Sequence, residues 1–217
     1  MATKDLSLHH IIKESSVQKN APLLIMCHGY GSDENDLFSF ASELPKELFI
    51  ISVRAPYAMM PFGNAWYAIN FDGGGKWSDD DEVIGSRDLL KKFVEEACDT
   101  YPVDKDNVTL LGFSQGTILS LAVALSYPEL IKNVVALSGY VNKDILTEDL
   151  KEKDFSNLDI YVSHGSVDQV IPMEWARKTS PFLNELNISH SYSEFPVGHG
   201  VAPQNFFEFK EWLEKRI

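Results

Sequence analysis

Short, almost unbroken apolar runs alternate along this chain with longer stretches of helical periodicity. The runs are Leu23 to Cys27, Leu48 to Val53, Val108 to Leu111, Val134 to Leu137 and Ile160 to Val162. They are hydrophobic at nearly every position rather than every second one, which is how strands covered on both faces read. Between them, Ser86 to Thr100 carries Leu89, Leu90, Phe93, Val94 and Ala97 on one stripe. Thr117 to Ser126 is apolar almost all round, and Met173 to Leu186 and Asn205 to Lys215 complete the helical set. This alternation predicts an α/β fold with a mostly parallel central sheet flanked by helices. At 217 residues the chain is expected to form a single domain over 1–217, with no repeat or linker to divide it.

Two irregular stretches interrupt the rhythm. Arg54 to Val83 is rich in Pro, Gly and aromatics, and Gly139 to Asn157 is polar and charged. Long loops in compact domains tend to carry function.

The chemistry-bearing motif is Gly112-Phe113-Ser114-Gln115-Gly116, set between the strand that ends at Leu111 and the helix that begins near Thr117. Glycines at these positions allow a sharp strand-to-helix turn that lifts a serine hydroxyl clear of the sheet. The competing reading of Ser114 is a simple helix N-cap. A nucleophilic serine needs an imidazole to take its proton and a carboxylate to orient that imidazole. In the chain order Ser, acid, His, the acid is Asp168 in His164-Gly165-Ser166-Val167-Asp168, after the strand Ile160 to Val162. The base is His199 between Gly198 and Gly200, after an extended run from Ser191 to Phe195.

Rival groups read differently. His9 and His10 precede any core element and are expected on the surface, as is His190 in a polar connection. His28 and His164 end strands and are expected to orient loops by hydrogen bonds. Asp159 lies at the wrong end of its strand, and Glu174 reads as an acid opening a helix; Glu194 is a further rival to Asp168. Two backbone N–H groups are expected to face the developing oxyanion, those of Gln115 and of Tyr30 in His28-Gly29-Tyr30-Gly31.

Composition narrows the field. A net charge of −13 repels phosphate backbones and anionic membrane surfaces, which argues against nucleic-acid binding. Two cysteines make neither a disulfide framework nor a zinc site, and no stretch has the length of a spanning helix or a signal peptide. The expected setting is a cytoplasmic one without stable membrane insertion. Asp79-Asp80-Asp81-Glu82 reads as a solvated edge or as acids preceding a helix rather than a metal site, and Gly73-Gly74-Gly75 does not sit at a strand-helix turn as a dinucleotide site would.

Together, Leu24-Ile25-Met26-Cys27-His28-Gly29-Tyr30-Gly31-Ser32, Leu111-Gly112-Phe113-Ser114-Gln115-Gly116, His164-Gly165-Ser166-Val167-Asp168-Gln169-Val170-Ile171-Pro172 and Gly198-His199-Gly200 resemble the phospholipase/carboxylesterase family of α/β-hydrolases, which includes the acyl-protein thioesterases. The resemblance spans nearly the whole chain and implies an α/β-hydrolase fold with no large cap domain. It implies Ser114 as nucleophile, Asp168 and His199 as its relay, and the N–H groups of Tyr30 and Gln115 as oxyanion hole. The chain departs from the family's pattern at Ser32-Asp33-Glu34-Asn35-Asp36-Leu37 and at Thr117, where another glycine often follows the serine turn.

In the 54–83 loop, Met60, Trp66 and Phe71 are candidate walls of an acyl pocket. The reading is a serine hydrolase of short- to medium-chain carboxylic esters or thioesters, needing neither cofactor nor metal and acting on a small-molecule ester or acyl substrate. The alternatives are a lysophospholipase or acyl-protein thioesterase, or a hydrolase-fold binding module without turnover. The oligomeric state stays open, a homodimer included.

Overall fold

The structure, a computed structural model, describes residues 2–69 and 78–217. Its main sheet has the strand order β1-β3-β2-β6-β7-β8-β9. These are β1 (His10–Lys13), β2 (Ala21–Cys27), β3 (Phe49–Val53), β6 (Val103–Phe113), β7 (Asn133–Leu137), β8 (Asp159–Gly165) and β9 (Ser189–Phe195). β1 runs antiparallel to β3 and every other pair is parallel. A separate two-stranded ribbon, β4 (Tyr57–Ala58) with β5 (Asn64–Ala65), lies within the first long loop.

Successive side chains of a strand point to opposite faces, so an unbroken apolar run supplies two cores at once. Leu23, Ile25 and Cys27 face one layer, made by α1 (Asp80–Thr100), α2 (Gln115–Ser126) and Phe182 and Leu183 of α4 (Thr179–Glu185). Leu24 and Met26 face the other, made by residues 37–44 and by Phe209, Trp212 and Leu213 of α5 (Pro203–Glu214). Among the described residues no helix is long and apolar enough to cross a membrane.

Several elements differ from the sequence reading. α1 starts at Asp80, six residues before Ser86, because Asp79 caps it by accepting the N–H of Asp81 at 3.0 Å. Its acidic run therefore occupies the first turn, where the helix dipole favours negative charge. Among the described residues no group of three or more His, Cys, Asp or Glu converges on a metal position. β6 begins at Val103 rather than Val108, since it pairs with Ala21 and Pro22 across a register shift. The span Met173 to Leu186 divides into α3 (Met173–Ala176) and α4, for Pro181 has no N–H to give Arg177 and is tolerated only in a helix's first turn.

His10 corrects the surface expectation. It opens β1 and is 2% exposed, with Nδ1–H donating to the Leu8 carbonyl at 2.9 Å and Nε2 accepting the Tyr101 hydroxyl at 2.7 Å. A four-residue edge strand leaves too short a pattern to read. His190 is half-buried rather than exposed, between Ser180 Oγ and the Ile188 carbonyl.

Candidate active site

The strand order reverses direction between β2 and β6, and the crevice beyond the carboxyl ends of strands at such a switch point is where α/β sheets place ligands. Loops after β2, β6, β7, β8 and β9 meet there.

Ser114 stands between β6 and α2 with φ 54° and ψ −116°, a left-handed conformation that side chains rarely adopt. Its N–H donates to the Leu137 carbonyl of β7 at 2.9 Å. A β-carbon on Gly116 would collide with the Cys27 and His28 carbonyls, so only glycine lets α2 come this close to the end of β2. Ser114 occupies the N-cap position of α2 yet makes no side-chain cap hydrogen bond. Its hydroxyl donates instead to His199 Nε2 at 2.9 Å.

His199 Nδ1–H donates to Asp168 Oδ2 at 2.7 Å. A carboxylate only accepts, so this contact puts the imidazole proton on Nδ1 and leaves Nε2 as an acceptor for the serine. The Asp168 side chain is fully buried. Burial pushes its carboxyl up, but the hydrogen bond from His199 and the N–H groups of Val170 (2.8 Å) and Ile171 (3.0 Å) outweigh it and hold it below the ordinary carboxylate value. The His199 ring packs on Phe113 with centroids 4.9 Å apart.

Tyr30 and Gln115 both border the cavity over Ser114. Gln115 is the first residue of α2, where backbone N–H groups have no helical acceptor. Its side chain clamps the first long loop, accepting the Trp66 N–H at 2.8 Å and donating to the Tyr67 carbonyl at 2.8 Å. The Tyr30 turn is pinned as firmly. Gly31 N–H donates to Asn64 O at 2.9 Å, and His28 Nε2 accepts the Ala55 N–H at 3.0 Å.

The cavity has a volume of about 230 Å³, with Tyr67, Ile69, Ile118, Tyr140, Val170 and Ile171 among its apolar walls and Ser32, Asp36 and Ser78 at its polar side. Neither Met60 nor Trp66 lines it, which corrects the pocket expectation. Trp66 is wholly buried, its indole N–H donating to the His28 carbonyl at 3.0 Å, so it bolts the loop to the core. Met60 is 93% exposed on the turn between β4 and β5. Phe71 lies outside the described residues, as do Trp77 and the triple glycine at 73–75. Tyr67 of the same loop does line the cavity, whereas the walls from other loops escape the sequence reading although signals exist: Val170 and Ile171 directly follow Asp168, and Tyr140 follows Ser138 and Gly139 just beyond the carboxyl end of β7.

The rivals are placed elsewhere. Asp159 opens β8 and pairs with Arg216 (2.6 Å), Glu174 lies in the first turn of α3, and Glu194 accepts both Arg177 Nε and Nη2 at 2.8 and 2.9 Å. His28 and His164 sit beneath the site, each bonded to loop carbonyls.

A mostly parallel sheet with a strained serine turn at its switch point is the α/β-hydrolase fold. The family model described as Phospholipase/Carboxylesterase matches residues 9–217, and the chain belongs to that family of hydrolases. Among its relatives is acyl-protein thioesterase 1 of Mycosarcoma maydis, 25% identical over 233 residues that cover 95% of this chain and 96% of the relative. The crystal structure of esterase PE8 matches with a TM-score of 0.84 at 22% identity, covering 97% of this chain and 99% of that one. The Bacillus cereus carboxylesterase matches with a TM-score of 0.83 at 20% identity, covering 97% and 95%.

Proposed function

We propose that this hydrolase cleaves short- to medium-chain carboxylic esters through an acyl-enzyme on Ser114. The observation that carries the reading is the unbroken hydrogen-bond chain from Ser114 Oγ to His199 Nε2 (2.9 Å) and from His199 Nδ1 to Asp168 Oδ2 (2.7 Å).

In this reading Ser114 Oγ attacks the acyl carbon while its proton passes to His199 Nε2, and Asp168 stabilises the imidazolium without taking the proton itself. The carbonyl oxygen becomes an oxyanion facing the N–H groups of Tyr30 and Gln115; loss of one such donor costs about 3–4 kcal/mol of barrier. The tetrahedral intermediate collapses as His199 protonates the departing alcohol. Water, deprotonated by the same imidazole, then attacks the acyl-enzyme and releases the acid. Thioesters follow the same steps with a thiol leaving, and the thioesterase among the relatives favours including them.

A cavity of about 230 Å³ lies below the ~300–1,000 Å³ typical of sites for drug-sized ligands, which supports short acyl chains over long ones. The test is a p-nitrophenyl ester series from acetate to palmitate with wild type and Ser114→Ala. Turnover that peaks at short chains and falls at least about a thousandfold in Ser114→Ala is expected. Retained activity in a folded Ser114→Ala would overturn the reading, and saturable ester binding without product would favour a binding module.

A further inference from the structure

A second cavity, of about 300 Å³, adjoins the site, with Val141, Trp175 and Phe182 as its apolar walls and Lys143 and Lys178 at its rim. Tyr140 lines both cavities. Its ring meets Trp175 edge to face, with centroids 5.2 Å apart and planes at 67°. Among the described residues, this ring packing rather than a hydrogen bond to its hydroxyl holds the side chain.

The backbone that carries Tyr140 is held far more tightly than its ring. Ser138 before it is in the left-handed region at φ 51°. Gly139 is wedged so closely against the Thr117 side chain that a β-carbon there would overlap it. After it, Val141 N–H donates to Thr179 Oγ1 at 3.2 Å, and the Arg87 guanidinium holds the Ile145 carbonyl at 2.5 Å. Truncating the side chain would therefore open a passage rather than let the loop collapse into the space.

We propose, building on the acyl-enzyme reading, that Tyr140 is the partition that limits acyl length, and that the second cavity takes the distal methylenes of a saturated acyl chain once the ring is removed. The acyl arm is the one concerned because the Tyr140 loop packs through Gly139 against the turn that carries Ser114. A β-carbon on the adjoining Gly139 would lie 3.1 Å from the Ser114 carbonyl oxygen. The acyl group stays bonded to Ser114 throughout, whereas the leaving group departs beside His199. Beyond Tyr140 the faces of Val141, Trp175 and Phe182 suit methylenes, with Lys178 and the Lys143 ammonium, 4.2 Å from the Phe182 ring centroid, at the rim.

The experiment measures kcat/KM along two ester series, one lengthening the acyl chain with p-nitrophenol constant, the other lengthening the alcohol with acetate constant. Tyr140→Ala and Tyr140→Leu are expected to shift the acyl optimum toward octanoate to dodecanoate, each newly buried methylene raising kcat/KM roughly fourfold. Tyr140→Phe keeps the ring and is expected to keep the acyl optimum at short chains, whatever its absolute rate. Val141→Phe added to Tyr140→Ala refills the second cavity and restores the short optimum. Equal losses at every acyl length in both truncations, or a shift confined to the alcohol series, overturn the proposal. A wild-type optimum already at long chains overturns it too. Absence of serine-dependent turnover in the wild type would instead sink the acyl-enzyme reading, so the two failures are distinguishable.

Discussion

Nε2 of His164 lies 3.3 Å from Oδ2 of Asp168, the same oxygen that accepts the His199 proton donor at 2.7 Å. The His164 ring is fully buried, and its Nε2–H donates to the Ile171 carbonyl at 3.0 Å. The peptide N–H of that same Ile171 donates to Asp168 Oδ1. His164 thus closes the loop that carries the acid from beneath, while its buried Nδ1 has no hydrogen-bond partner among the described residues.

From this relationship His164→Leu is expected to lower kcat by roughly ten- to a hundredfold through small displacement of Asp168, with KM little changed. His164→Gln, which retains an N–H donor of similar reach, should recover much of the loss. The downfield His199 Nδ1 proton signal in NMR reports the Asp168 contact directly. An unchanged signal and kcat in a folded His164→Leu variant would show that His164 does not position the acid.

Gly165 ends β8 where the loops bearing Asp168 and His199 meet. A β-carbon there would overlap the Gly198 and Val197 carbonyls. Gly165→Ala is expected to force the loops apart, cost about 1–3 kcal/mol of stability and reduce kcat/KM disproportionately. Denaturant melts alongside kinetics check it; wild-type stability would mean that the loops yield without strain.

Thr117 braces the serine turn. Its hydroxyl reaches the carbonyls of Gly112 and Leu137, both at 2.6 Å. Thr117→Val keeps the shape and removes the donor; the Leu137 carbonyl keeps the Ser114 N–H, so a loss of about 0.5–1.5 kcal/mol, that of one hydrogen bond, is expected. Thr117→Ser keeps the hydroxyl and should lose less. Urea midpoints of the two variants, compared with wild type, decide between them.

Two buried histidines make the fold sensitive to mild acid. His28 Nδ1–H donates to the Gly29 carbonyl at 2.7 Å while Nε2 accepts the Ala55 N–H, and His10 is held by Leu8 and Tyr101. Burial is the main cause that keeps both below the ordinary value of 6.5. The unfolded chain therefore binds protons first as pH falls. The stability these neutral rings contribute is complete above about 6.5 and declines from there down to their depressed values, by at most about 1.4 kcal/mol per pH unit for each. Urea unfolding from pH 7.5 to 5 should show a falling midpoint; a flat profile would contradict the neutral assignments.

What the sequence determined by itself was whatever a local pattern forces. Five apolar runs without alternation require strands covered on both faces, and the sheet carries them in two opposite core layers. Glycines spaced around Ser114 mark a turn that admits no side chain at Gly116, and the residues singled out at 114 and 168 each hydrogen-bond to the one at 199. Tertiary structure decided what depends on partners far along the chain. Trp66 faces the core rather than the cavity because Gln115 and His28 hold it there, and His10 is buried because Tyr101 receives it. The cavity walls come from separate loops, Tyr67 and Ile69 from one, Tyr140, Val170 and Ile171 from others. Loop aromatics share one composition whether they line a cavity or fill a core, and only the packing of distant segments against them settles which surface they meet.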